Sequence, residues 1–111
     1  MKTPLFSIIT ITVDAESILE PTLRSVAAQQ ENDYEYLIVD GASKDGTVAL
    51  ARQYDCVTRI ISEPDRGLYD AMNKGIKAAT GEYLVFLNAG DSLYAPDTLN
   101  KLHDFIGENR P

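Results

Sequence analysis

The sequence predicts a three-layer α/β/α sandwich of Rossmann type, and three observations predict it. Four apolar runs alternate with four helical patterns, the connections between them are short, and the runs are nearly continuous rather than alternating. Strands and helices that alternate with short connections give parallel strands and right-handed crossovers. Strands covered on both faces lose the polar half of the period-two pattern. A sheet of about four strands is small for this architecture and leaves an uncovered edge. That edge calls for a partner, a second copy of the chain, or the rest of a longer protein.

Each element has its own warrant. Leu5 to Val13 is rich in Ile, Thr and Val and reads as the first strand. Ile18, Leu19, Leu23, Val26 and Ala27 then form a helical stripe, with Pro21 expected in the first turn, where a missing N–H costs least. Tyr36 to Val39 is the second strand and Thr47 to Tyr54 a short second helix. Val57 to Ile61 is the third strand. Leu68, Met72, Ile76 and Ala79 mark a third helix, with Gly81 as its C-terminal cap and Tyr69 and Met72 expected in the core. Tyr83 to Leu87 is the fourth strand. The last helix starts near Pro96-Asp97 and points Leu99, Leu102, Phe105 and Ile106 inward.

Bulk properties remove several function classes. The 111 residues fit one domain, 1–111, and 44% hydrophobic residues can build one core. The net charge of −7, with ten scattered basic residues, argues against nucleic acid, which needs a clustered basic face. The single cysteine, Cys56, forms no internal disulfide, suits a reducing compartment and is expected to pack as a small apolar residue. No apolar stretch approaches the ~18 residues of a membrane span. The N-terminal Met1-Lys2-Thr3-Pro4 and the polar-interrupted run after it do not read as a signal peptide. A soluble, cytoplasmic domain is expected.

In open parallel sheets ligands bind beyond the carboxyl ends of the strands. Those ends read Thr12-Val13-Asp14-Ala15-Glu16, Asp40-Gly41-Ala42-Ser43-Lys44-Asp45-Gly46-Thr47, Ser62-Glu63-Pro64-Asp65-Arg66-Gly67 and Asn88-Ala89-Gly90-Asp91. All four carry acids, and in two a glycine beside the acid lets backbone approach a ligand closely. Asp14, Glu16, Asp40, Asp65 and Asp91 together would repel a bare diphosphate. Either a divalent cation intervenes, or some acids accept from neutral donors such as a base N–H or ribose hydroxyls. No Walker-type loop and no GxGxxG follows the first strand, which weakens triphosphate and dinucleotide readings.

Five segments, in order, resemble family-2 glycosyltransferases. They are Ser7 to Thr12, Thr22 to Gln29, Ile38 to Thr47, Asp65 to Ile76 and Ala79 to Asp91. The resemblance implies a GT-A fold whose N-terminal half holds the nucleotide of a sugar donor, commonly a UDP-sugar. It assigns Asp40, beside Gly41, to the nucleoside through the base N–H. Thr12, Val13, Asp14 and Glu16 fall in the loop along base and ribose, and Asp65 faces the nucleotide. Asn88, Gly90 and Asp91 fall in the motif that holds Mn²⁺ or Mg²⁺ on the diphosphate. This chain departs from the common pattern there, because Asn88 and Gly90 replace two acids and leave Asp91 as the metal carboxylate. Val13-Asp14 stands where many members carry Tyr-Asn, and Gly41 where many carry a second acid.

The implied reaction is inverting transfer by direct displacement, with the metal stabilising the departing diphosphate. In that family the general base and most of the acceptor site come from the second half, which nothing in residues 92 to 111 resembles. The isolated chain is therefore expected to bind nucleotide and transfer nothing. The full-length protein is expected to act on a glycan or lipid-linked acceptor in cell-surface polysaccharide or glycoconjugate synthesis, in the cytoplasm at the inner face of the membrane, with a homo-oligomer as one expected state.

Structural readings stand beside these. Asp40 before Gly41 could shape a turn, Asp45 is expected to cap the second helix, and Asp14 could cap the first. Lys74 and Lys77 read as a solvated helix face, Arg66 as surface or phosphate contact, and His103 as structural or exposed. Two rival functions are a nucleotide-binding remnant without turnover and, more distantly, a receiver-like signalling domain. The receiver reading lacks a fifth strand and leaves Asp40-Gly41 and Asn88 to Asp91 without a role.

Overall fold

A computed structural model describes residues 3–109. Met1, Lys2, Arg110 and Pro111, on which the leader and chain-end readings touch, lie outside the described residues. The elements run β1 (Phe6–Thr12), α1 (Glu16–Ala27), β2 (Tyr34–Asp40), α2 (Thr47–Arg52), β3 (Arg59–Ser62), α3 (Leu68–Ala78), β4 (Tyr83–Phe86) and α4 (Thr98–Asn109). The strands form one parallel sheet in the order β3-β2-β1-β4. The predicted three-layer α/β/α fold is the observed one.

Alternation along β1 divides the core between the two sheet faces. Ile8, with Phe6, Tyr36 and Ile38, faces Leu19, Leu23 and Val26 of α1, Ala51 of α2 and Leu99 of α4. Ile9, with Leu37 and Val39, faces Ala71 of α3. The central strands β1 and β2 are buried almost throughout, so their continuous apolar runs mean what they were expected to mean. The outer strands do not: β3 and β4 leave Arg59, Ser62, Tyr83, Leu84 and Phe86 exposed, because each is an edge with a neighbour on one side only. Among the described residues both edges of the sheet, β3 and β4, lack a further strand.

Four local expectations need correction. Helix α1 begins at Glu16, which puts Pro21 in its second turn, where it removes a ladder hydrogen bond. Helix α3 buries small residues: Ala71 and Gly75 are inward, while Leu68, Tyr69 and Ile76 are exposed. The reason is close approach, since a Cβ on Gly75 would stand 2.9 Å from Ile9 Cγ2 and 3.4 Å from Val39 Cγ2. Gly81 is not the cap of α3, whose capping position is Ala79. Gly81 lies instead against β1, where a Cβ would meet Ser7 Oγ at 2.6 Å and the Phe6 carbonyl carbon at 2.8 Å. On α4, Leu99 is buried but Leu102 and Phe105 are exposed.

Candidate functional site

The register that pairs Thr12 with Asp40 brings the ends of the two central strands side by side. Asp40 is 1% exposed, and its carboxylate accepts from four protein donors. Oδ1 takes the Thr12 hydroxyl at 2.7 Å and the Ser43 hydroxyl at 2.5 Å. Oδ2 takes the Ser43 N–H at 2.8 Å and the Ser62 hydroxyl at 2.8 Å. Burial opposes ionisation, but the donations from Ser43, Thr12 and Ser62 outweigh it and hold the carboxyl below its ordinary pKa. A carboxylate has about four lone-pair positions, so the protein itself satisfies Asp40. The charge thus ties β1, β2, β3 and the loop after β2 together at one point.

Beside Asp40, the loop after β1 and the loop after β2 are clasped by reciprocal hydrogen bonds. Asp14 N–H donates to Ser43 Oγ at 2.7 Å, and Lys44 N–H returns to Asp14 Oδ1 at 2.7 Å. Glu16 N–H donates to Asp45 Oδ2 at 3.2 Å, and Gly46 N–H returns to Glu16 Oε1 at 2.9 Å. Ala15 N–H donates to the Thr47 hydroxyl at 2.9 Å. Asp45 also accepts from Thr47 N–H, although the capping position of α2 is Gly46 and not Asp45. Asp14 does not cap α1; its carboxylate turns to the other loop, and the residue sits at φ 46°. Ala42 sits at φ 59° in the same clasp. Two non-glycine residues held in the left-handed region within one loop pair mark a backbone shaped by something other than local preference.

Past the clasp opens a cleft of about 180 Å³ lined by Ile11, Thr12, Val13, Asp65, Gly67, Leu68 and Ala71. Val13 and Leu68 are 64% and 60% exposed, so two apolar side chains border the opening. Asp65 Oδ1 accepts from Gly67 N–H at 3.1 Å. Its other oxygen lies over Gly41, where a Cβ would stand 2.7 Å away. Gly41 therefore allows the Asp65 carboxylate to settle beside Asp40, and Gly67, at φ 111°, lets the chain turn into α3. Of the predicted nucleotide residues, Thr12, Val13 and Asp65 line this cleft, and Gly41 supports Asp65 from outside it. Asp14 and Glu16 are committed to the clasp, and Asp40 is enclosed by its four donors.

The turn after β4 is held by α1. Thr22, fully buried, accepts from Gly90 N–H at 2.9 Å and donates to Asp91 O at 2.6 Å, while Asp91 N–H closes on Asn88 O at 2.9 Å. Gly90 has φ 97°. Asn88 and Asp91 are exposed, and among the described residues the Asp91 carboxylate has no side-chain partner. No three His, Cys, Asp or Glu side chains lie together among the described residues. The single carboxylate of Asp91 does not make a cage for a cation built by protein alone.

Sequence reasoning missed Ser43, Ser62, Thr22 and Thr47, which organise the site through their hydroxyls. One signal was available for Ser43: an Asp followed three residues later by Ser is a local side-chain-to-backbone turn. Ser62 and Thr22 join their partners from distant parts of the chain and left no such signal. His103, as expected, is exposed and structural, paired with Glu31 ahead of β2, at the opposite end of the sheet from the cleft.

Residues 7–111 match the model of glycosyl transferase family 2. A PGL/p-HBAD biosynthesis glycosyltransferase of Mycobacterium bovis is 44% identical over 115 aligned positions, covering 100% of this chain and 45% of that protein. The crystal structure of residues 1–349 of Staphylococcus aureus TarS with UDP-GlcNAc matches with TM-score 0.87 and 26% identity, over 94% of this chain and 31% of that one. The mannosyltransferase PcManGT of Pyrobaculum calidifontis, in complex with GDP-Man and Mn²⁺, matches with TM-score 0.83 and 26% identity, over 98% of this chain and 34% of that one. The chain spans less than half the length of each of these relatives.

Proposed function

Starting from glycosyl transferase family 2, to which this chain belongs, we propose that residues 1–111 form the donor-binding region of an inverting glycosyltransferase that takes a UDP-sugar. The observation that carries the reading is the cleft at the carboxyl ends of β1 and β3, where exposed apolar side chains border an acceptor carboxylate. A nucleoside is a flat apolar body with a polar edge. Val13 and Leu68 suit the faces of a base, and Asp65 suits a base N–H or a ribose hydroxyl. Asp40 acts as the anchor that sets Thr12 and the loop after β2. It meets the base itself only if the Ser43 hydroxyl turns away from Oδ1.

A divalent cation held by Asp91, with Asn88 beside it, would supply charge compensation to the departing diphosphate. Two relatives support the reading: the Pyrobaculum enzyme is a complex with GDP-Man and Mn²⁺, and the Staphylococcus enzyme, a complex with UDP-GlcNAc, supports the donor. The general base and acceptor site belong, in this reading, to sequence beyond the region described, and the acceptor is a glycan or lipid-linked glycoconjugate. The chain alone binds donor and does not transfer. No helix among the described residues is long and apolar enough to cross a membrane.

The test is calorimetric titration of UDP into the purified chain with and without Mn²⁺, with GDP as comparison. Metal-enhanced UDP binding is expected, lost in Asp65→Ala and stripped of its metal dependence in Asp91→Ala. Binding of neither nucleotide, or binding indifferent to Asp65, would overturn the assignment.

A further inference from the structure

Four of the ten basic residues, Arg52, Arg59, Lys74 and Lys77, line grooves along one edge of the sheet. Strand β3 pairs with β2 alone among the described residues, and each of its faces looks into a groove. On the α3 side a groove of about 350 Å³ is lined by Arg59, Ile61, Glu63, Lys74 and Lys77. On the α2 side a groove of about 310 Å³ is lined by Arg52, Val57, Arg59 and Ile60. Lys74 is neutralised by Glu63 at 3.2 Å and Asp70 at 3.6 Å. Arg52, Arg59 and Lys77 are exposed and make no ion pair among the described residues. The Glu63 N–H turns inward to Asp40 O at 3.0 Å, and the register sets Arg59 and Ile61 opposite Leu37 and Val39, so alternation directs the backbone groups of Ile60 and Ser62 outward.

An open strand edge with a groove on each face and uncompensated cations at the lip has one economical occupant. We propose that the β3 edge is a docking site for an extended acidic peptide segment of a partner protein, which adds a strand to the sheet. Successive side chains of an added strand point to opposite faces, and here each face offers a groove. Acidic side chains on one face reach Lys77 and Arg59, and apolar ones on the other lie against Val57 and Ile60. The main-chain bonds hold the segment and the charges select it. A bound anion such as phosphate would use the cations but leave the strand edge and the α2-side groove without a role. The apolar edge at β4 lacks the cations that select an acidic partner.

The experiment titrates the 111-residue chain with a labelled short peptide of alternating glutamate and valine, read by polarisation and by amide hydrogen exchange. The expected result is saturable binding with protection of the Ile60 and Ser62 amides, which the register leaves facing outward. A lysine-valine peptide should not bind, and the double variant Arg59→Glu, Lys77→Glu should weaken binding at least about tenfold. Both substituted side chains are exposed, so circular dichroism should show the fold intact. Absence of binding, affinity unchanged in the double variant, or protection confined to β4 would overturn the proposal. So would inorganic phosphate displacing the peptide with the β3 amides unprotected, which would make the edge an anion site.

Discussion

Replacing Asp40 by Asn removes one charge while keeping the shape of the side chain. The carboxylate accepts the Thr12 and Ser43 hydroxyls on one oxygen and the Ser43 N–H and Ser62 hydroxyl on the other. An amide keeps one acceptor, and the better arrangement leaves it on the Ser43 N–H, because hydroxyls can reverse and a backbone N–H cannot. Hydrogen bonds to a charged group are worth about 1.5–3 kcal/mol each, against about 0.5–1.5 for neutral ones. Losing charge assistance on four bonds would cost about 4 kcal/mol, and the smaller desolvation penalty of the amide returns part of it. A destabilisation of about 2–4 kcal/mol is expected in urea denaturation at neutral pH, a large share of a typical domain's about 5–15. The folded pKa of Asp40 lies below its unfolded value of about 3.9, so the unfolded state binds the proton first. The contribution is complete above pH of about 4 and disappears as pH falls through the folded pKa. The gap between wild type and Asp40→Asn should therefore narrow in acid. A variant within about 1 kcal/mol of wild type at neutral pH, or a gap that widens in acid, would refute the anchoring role.

Three further outcomes follow from particular positions. Ala42→Gly relieves a left-handed alanine at φ 59° and should raise stability by about 0.5–1 kcal/mol in the same denaturation assay, the relief being partly offset by the freer unfolded chain. Gly41→Ala puts a methyl 2.7 Å from Asp65 Oδ2, so calorimetry should show weakened UDP binding with a melting temperature close to wild type. His103 has its pKa raised chiefly by its hydrogen bond to Glu31. Its contribution to stability is present below the unfolded value of about 6.5 and is lost as pH rises through the folded one. An NMR titration should find the imidazole pKa lower in Glu31→Gln, and an unchanged value would contradict the pairing.

The fold was legible because the central strands obey the rule their sequence was read by: Phe6–Thr12 and Tyr34–Asp40 are buried on both faces and look it. The rule failed where burial is one-sided. Val57 to Ile61 and Tyr83 to Leu87 read like central strands, yet both are edges, and strand order is a tertiary fact. Helix α3 misled for another reason, since its buried stripe is alanine and glycine and hydrophobicity alone follows Leu68 and Ile76. Asp65, Thr12 and Val13, read from their place at strand ends, line one cleft. The clasp was not legible, because Asp14 meets Ser43 and Lys44, and Glu16 meets Asp45 and Gly46, about thirty positions away in sequence.

The clasp also decides how negative charge can be received. The N-terminus of a helix ordinarily offers free amides and a positive dipole end to phosphate groups. Here Glu16 N–H is given to Asp45, Gly46 N–H to Glu16 and Thr47 N–H to Asp45. At the start of α3, Arg66 N–H goes to Asp70 and Gly67 N–H to Asp65. Each helix that opens on the ligand-facing rim through these amides has already spent them on one of the protein's own carboxylates. Those five amides are therefore closed to any outside anion, and the acidity of the rim is turned inward to hold its own loops in place.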